Sequence, residues 1–313
     1  MPRLNNTTIT QLLRANNFNN IKYWDVRNVT DMSSLFMFLK TDITELDLTY
    51  WDTSNVRTIN SFVSYAKVTL HKITNWNTCR IRDMKHCFQG SLFNEPLNWN
   101  TSSVTDMHGM FSHAREFNQP LQWDTSNVKD MSYMFESAYS FNQTLDFDTR
   151  NVRDMHSMFE GAGLFNQLLI WNTSNVTDMS HMFDNAVTFN QPLVWNTSNV
   201  TDMSCMFSHA DEFNSILLFN DTSNVRDMSY MFESARLFNQ PLEWETGQVI
   251  DMSHMFEDAI SFNQPLEWAD ISSLNTMEYM FLNAHSFDQE LEIEPPEEVN
   301  TYGIFVGSRG RWI

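Results

Sequence analysis

Apolar and polar positions along this chain follow two rhythms that take turns. In FNQPLQWD, Phe117 to Asp124, the apolar Leu121 and Trp123 stand two apart with Gln122 between them. That is strand spacing, so Leu121 and Trp123 are predicted to face a core and Gln122 to face away. In DMSYMFESA, which begins at Asp130, the apolar residues are Met131, Met134, Phe135 and Ala138, at offsets of 0, 3, 4 and 7. Those offsets predict one stripe of a short helix, with Tyr133 on its exposed side. Asp130 stands where an N-cap belongs, since a carboxylate suits the unpaired N–H groups and the positive end of a helix. DTSN before it and SFNQ after the stripe are turn chemistry.

The same phrase is written again and again. Its anchor recurs at Trp24, Trp51, Trp76, Trp99, Trp123, Phe147, Trp171, Trp195, Phe219, Trp244 and Trp268, with Ile293 standing in at the end. From Trp99 to Phe219 every step is 24 residues. The capping Asp recurs at Asp106, Asp154, Asp178, Asp202, Asp227 and Asp251, and the Asn of each FN forms a further column through Asn94, Asn118, Asn142, Asn166, Asn190, Asn214, Asn239 and Asn263. Stacked Asn side chains can satisfy turn backbone from repeat to repeat. Strand, turn, short helix, turn predicts a repeat solenoid, leucine-rich-repeat-like, with short parallel strands on one face and short helices on the other. The expected organisation is a single solenoid domain over 1–313: an N-terminal cap at 1–21, eleven to twelve repeats at 22–293, and a C-terminal cap or tail at 294–313.

The full phrase NVTDMSHMFDNAVTFNQPLVWNTS, from Asn175 to Ser198, resembles the repeat of BspA-like leucine-rich-repeat surface proteins. The variant is the one common in mycoplasma surface lipoproteins and also seen in large DNA viruses. The resemblance runs over residues 22–293 and implies a leucine-rich-repeat-like solenoid, a place at a cell surface, and a role in recognition. Trp and Met stand where the generic leucine-rich pattern has Leu. The lipoprotein members' N-terminal signal and lipidated Cys are not matched: MPRLNNTTIT has no apolar core. An intracellular or virion-associated location is therefore expected ahead of secretion.

Charge narrows the partner class. The formal net charge is −20, but residues 155–313 carry 23 Asp/Glu against Arg226, Arg236, Arg309 and Arg311 alone. Such a surface repels nucleic acid and anionic membrane, whose binding needs Lys and Arg to neutralise phosphates. It suits a basic protein partner or cations, and it also keeps a long repeat array soluble. No run is long enough to span a bilayer, so direct membrane insertion is not expected. Three cysteines make no disulfide framework. Cys87 falls in a Met column and is expected in the core, whereas Cys79 takes a Ser column and Cys205 a variable one, in repeats far apart.

Candidate chemistry weakens under the same reading. Met at helical spacing is core packing before it is a soft-metal site. His108 and His156 follow the Met anchor by one residue and His181 and His254 by two, so the spacing gathers no three ligands. Neither a metal nor a cofactor is expected. Asp columns about 4.8 Å apart approach the carboxylate spacing of retaining glycosidases, yet catalysis needs unlike groups with separated pKa values, and a ladder offers one group throughout. The expectation is therefore a binding scaffold and no enzyme. The alternatives are a structural component of a virion or other particle, and a glycan-binding or glycan-processing solenoid.

One departure from the repeat stands out on the outward side of the strand phrase P-L-x-W. There the x column reads Gln122, Asp146, Ile170, Val194, Leu218, Glu243, Glu267 and Glu292. The Pro column beside it reads Leu168, Pro192 and Ile216 over the same three repeats. Leu168, Ile170, Pro192, Val194, Ile216 and Leu218 are thus predicted to form one outward apolar patch, the candidate protein-binding site.

Overall fold

Within each part of this protein backbone hydrogen bonds run from repeat to repeat, and that decides the fold. In the computed structural model, which describes residues 3–37, 44–268, 270–292 and 295–312, the chain forms two compact units, Met1–Asn151 and Val152–Ile313. The anchor position Ile293 lies outside the described residues.

Unit 1 begins with α1 (Asn6–Arg14), capped by Asn5, whose side chain accepts from the N–H groups of Thr7 and Thr8 while Thr8 returns a bond to the Asn5 backbone. Ile9 and Leu13 fix its buried face. Asn6 ties the helix to the first repeat, its Oδ1 accepting from the Thr30 N–H at 2.9 Å. Later in unit 1, β1 (Glu45–Asp47) pairs in parallel with β2 (Thr69–His71). In unit 2, β3 (Leu193–Trp195) pairs in parallel with β4 (Leu217–Phe219), and β5 (Glu290–Leu291) with β6 (Arg311–Trp312). The strand phrases keep the predicted alternation even where no ladder forms: Leu121 and Trp123 are buried and Gln122 is exposed.

The helical stripe is a correction. Among the described residues the only α-helix is α1. In the repeat from Met179 to Ala186, the N–H groups of Met179, His181, Phe183 and Asn185 donate to the next repeat's Asp202, Ser204, Met206 and Ser208 at 3.0, 2.8, 2.9 and 2.8 Å. The alternate N–H groups, of Met182, Asp184 and Ala186, turn back on carbonyls three residues earlier. A helix would spend every N–H inside itself; here half of them join repeat to repeat. The geometry needs left-handed residues at the third position of alternate turns, a type II signature, and His181 (φ 55) and Asn185 (φ 56) supply it. Where glycine takes that position, as at Gly109 (φ 57), a Cβ would come within 2.5 Å of the His86 ring. Overlapping turns bury the same offsets as a helix does: Met179, Met182, Phe183 and Ala186 are fully buried.

Two smaller expectations change with it. The repeated Asp is no helix cap. Asp178 Oδ1 accepts from the N–H and the hydroxyl of Ser180 at 2.9 and 2.6 Å, an Asx turn that launches the ribbon, and Asp178 bridges in parallel to Asp202. Tyr133 is half-buried rather than exposed, because its left-handed backbone lays the ring edge-on against His108 at 5.4 Å.

The core consists of columns. Phe183, Phe207, Phe232, Phe256 and Phe281 stack at 5.5–5.6 Å between successive rings. Beside them Phe189, Phe213, Phe238 and Phe262 stack at 5.8–5.9 Å. Met131, Met134, Phe135 and Ala138 are buried as predicted, and so is Cys87. The Asn ladder forms as well: the N–H groups of Asn190, Asn214, Asn239 and Asn263 each donate to the Asn one repeat earlier at 2.9–3.0 Å.

Candidate functional site

Inward anchoring is what holds the apolar patch outward. Leu193 and Trp195 are buried on β3, and Leu217 and Phe219 on β4, so the pleat turns Val194 and Leu218 to solvent as direct cross-strand partners. The preceding repeat is tied on by the Trp195 indole, which donates to the Leu169 carbonyl at 3.3 Å and stacks on Trp171 at 6.3 Å. Ile170 therefore continues the outward column. It is 86% exposed, with Val194 at 68% and Leu218 at 57%. Leu168, Pro192 and Ile216 are also exposed, two residues before each of those three.

All six predicted site residues thus lie on one outward face of unit 2. Strands about 4.8 Å apart and alternate residues about 7 Å apart make a patch of a few hundred Å², large enough to mark an interaction site. Glu243, Glu267 and Glu292 continue the outward column and are exposed. An apolar centre with an acidic flank is the result.

Polar groups on the turn ribbon form other constellations. Among the described residues one set of three metal-type donors comes together, Asp154, His156 and Asp178, with donor atoms within 4.8 Å of one another. Spacing along the chain missed it because Asp178 arrives from the next repeat, 24 residues after Asp154. Its carboxylates already have structural partners: Asp154 Oδ1 accepts from His156, and Asp178 Oδ1 from Ser180. The same Asx turn recurs at Asp202, Asp227 and Asp251 without a histidine two residues on. Burial pushes the Asp227 carboxyl upward, and the neighbouring Asp202 and Asp251 add to it. His181 is raised as well, in its case because the charged form is favoured. Asp184 beside it, then Cys205, hold its imidazolium and push its pKa up to about 10.

Comparison with protein families places the chain in context. The family model described as "Mycoplasma protein of unknown function, DUF285" matches residues 6–90, 59–170, 144–242 and 216–304. Those overlapping matches run through nearly the whole sequence and bear out a mycoplasma-type repeat. Comparison with curated proteins and with solved structures gave no match. No helix among the described residues is long and apolar enough to cross a membrane.

Proposed function

Starting from a chain that belongs to this mycoplasma repeat family, we propose a non-catalytic scaffold that binds a protein partner through the outward strand face of unit 2. In this reading the repeats form a leucine-rich-repeat-like solenoid of the BspA-like surface type, with turn ribbons in place of helices. The carrying observation is the exposure of Ile170, Val194 and Leu218 in three successive repeats, flanked by Leu168, Pro192 and Ile216. Folding gains nothing from keeping such residues in water. Burying them against a partner would gain about 25 cal/mol per Å² of apolar surface. The exposed Glu243, Glu267 and Glu292 suit a partner with an apolar centre and a basic edge. Support for a non-catalytic role is the Asp ladder, whose carboxylates at Asp178, Asp202, Asp227 and Asp251 are all spent on the same repeated turn.

The test replaces Ile170, Val194 and Leu218 by Ser, Thr and Gln in one variant. Their side chains are outside the core, so the fold survives. Capture of the protein that the wild-type chain retains should fall about tenfold or more, as when a hot-spot cluster is removed. A well-folded triple variant with undiminished capture removes this face as the binding site. A wild-type chain that assembles only with itself, in a way the substitutions abolish, points to a particle component.

A further inference from the structure

One column of the turn ribbon is serine in most repeats and gives way to a cation or an imidazole in three. It stands two residues after each ladder Asp and reads Lys85, His108, Ser132, His156, Ser180, Ser204, Ser229 and Ser253. Each of these residues sits between its own Asp and the Asp of the next repeat. Those Asp residues are bridged in parallel, Asp83 to Asp106 and Asp154 to Asp178 among them.

Lys85 shows what the place between two ladder carboxylates accepts. Its N–H donates to Asp83 Oδ1 at 3.0 Å, and its ammonium meets Asp106 Oδ2 at 2.8 Å. Asp106 divides its oxygens accordingly. Oδ1 accepts from the His108 N–H at 3.2 Å and keeps the turn, while Oδ2 takes the cation. His156 holds the same place between Asp154 and Asp178. Its N–H donates to Asp154 Oδ1 at 3.1 Å, and its Nδ1 lies 2.8 Å from that oxygen. Asp178 keeps its own turn through Oδ1, as Asp106 does. His156 brings a nitrogen donor where Lys85 brings an ammonium. One donor atom from each of Asp154, His156 and Asp178 then lies within 4.8 Å of the other two. His108 differs: its Nδ1 is 2.6 Å from Ser132 Oγ, and the Asp106 before it already holds Lys85.

We propose that Asp154, His156 and Asp178 bind a divalent transition metal of the zinc class, which clips two adjacent repeats as the Lys85 ammonium does. Two carboxylates and a neutral imidazole balance the charge of a divalent ion. The imidazole selects zinc over Mg2+ and Ca2+, which take oxygen ligands. Bonds of about 2.0–2.2 Å hold tetrahedral ligand atoms roughly 3.3 Å apart, so small rotations of these half-buried side chains close the site. Water completes the fourth position. All three ligands belong to unit 2, whose excess of Asp and Glu raises the local concentration of cations.

The test titrates the metal-free, full-length chain with zinc chloride by calorimetry and repeats the titration on three variants. His156→Ser restores the residue that Ser132 and Ser180 place in this column, and His156→Lys copies Lys85, so both keep the fold. Asp178→Asn keeps the oxygen that forms the turn. The wild type should take up one zinc ion in an event that His156→Ser and Asp178→Asn each weaken about tenfold or more. His156→Lys should abolish that event, because its ammonium fills the place. His156→Ser binding zinc like the wild type overturns the proposal. Asp178→Asn binding like the wild type overturns the site between repeats, since the histidine then acts without the next Asp. Mg2+ displacing zinc at equal concentration overturns the nitrogen ligand.

Discussion

His181 shows how the period of this chain places side chains that local spacing keeps apart. Counting from the Met anchor sends the histidines in different directions, whereas counting by 24 puts His181 over Cys205 and Asp178 beside Asp154 and His156. The left-handed backbone was harder to read, because His181, Cys205, Tyr230 and Asn185 occupy positions whose usual sign is glycine. Among the described residues, glycine gives that sign only at Gly90, Gly109, Gly161, Gly303 and Gly307. A pH effect belongs to this scale. The folded His181 titrates near 10, above its unfolded value of about 6.5. Its stabilising contribution is therefore full below about pH 6.5 and lost as pH rises toward 10. Urea midpoints of the wild type and His181→Gln should differ most near pH 6 and converge at about pH 10. A gap that widens with rising pH would contradict the assignment.

Among the elements, strand phrases were legible and the stripe was not. Alternation in Leu193, Val194 and Trp195 has one structural reading, and β3 adopts it. Offsets of 0, 3, 4 and 7 have two, since overlapping turns bury the same positions as a helix. Which one forms depends on where N–H groups find partners, and in this chain they are drawn to the neighbouring repeat. The Asn ladder serves the same end at the following turn. Asn190 Oδ1 accepts from the Asn214 N–H and the Ser215 hydroxyl, both at 2.9 Å. Asn190→Ala strands the Asn214 N–H, while the Ser215 hydroxyl keeps the Asn190 carbonyl at 2.9 Å, and it should cost about 1–3 kcal/mol in chemical denaturation. Asn190→Asp, which keeps an acceptor, should cost clearly less. Equal losses from the two variants would mean that the ladder contributes packing and no hydrogen bonding.

At the scale of the whole molecule, a chain of near-identical repeats carries information mainly where the repetition lapses. Polar outward positions give way to Ile170, Val194 and Leu218, and the acidic column resumes at Glu243. The sequence alone located that lapse, because the in-out alternation needs no tertiary knowledge. The partner is not encoded there beyond its chemistry. A photo-crosslinking residue at Val194, with the same residue at Glu267 as the control, interrogates the face directly in the chain's own cells. The account predicts a discrete crosslinked protein at Val194, weaker at Glu267, whose yield falls as salt screens the acidic flank over a Debye length of about 8 Å at physiological ionic strength. A Val194 probe that crosslinks no more than the Glu267 probe would contradict the claim that this face is where the protein binds.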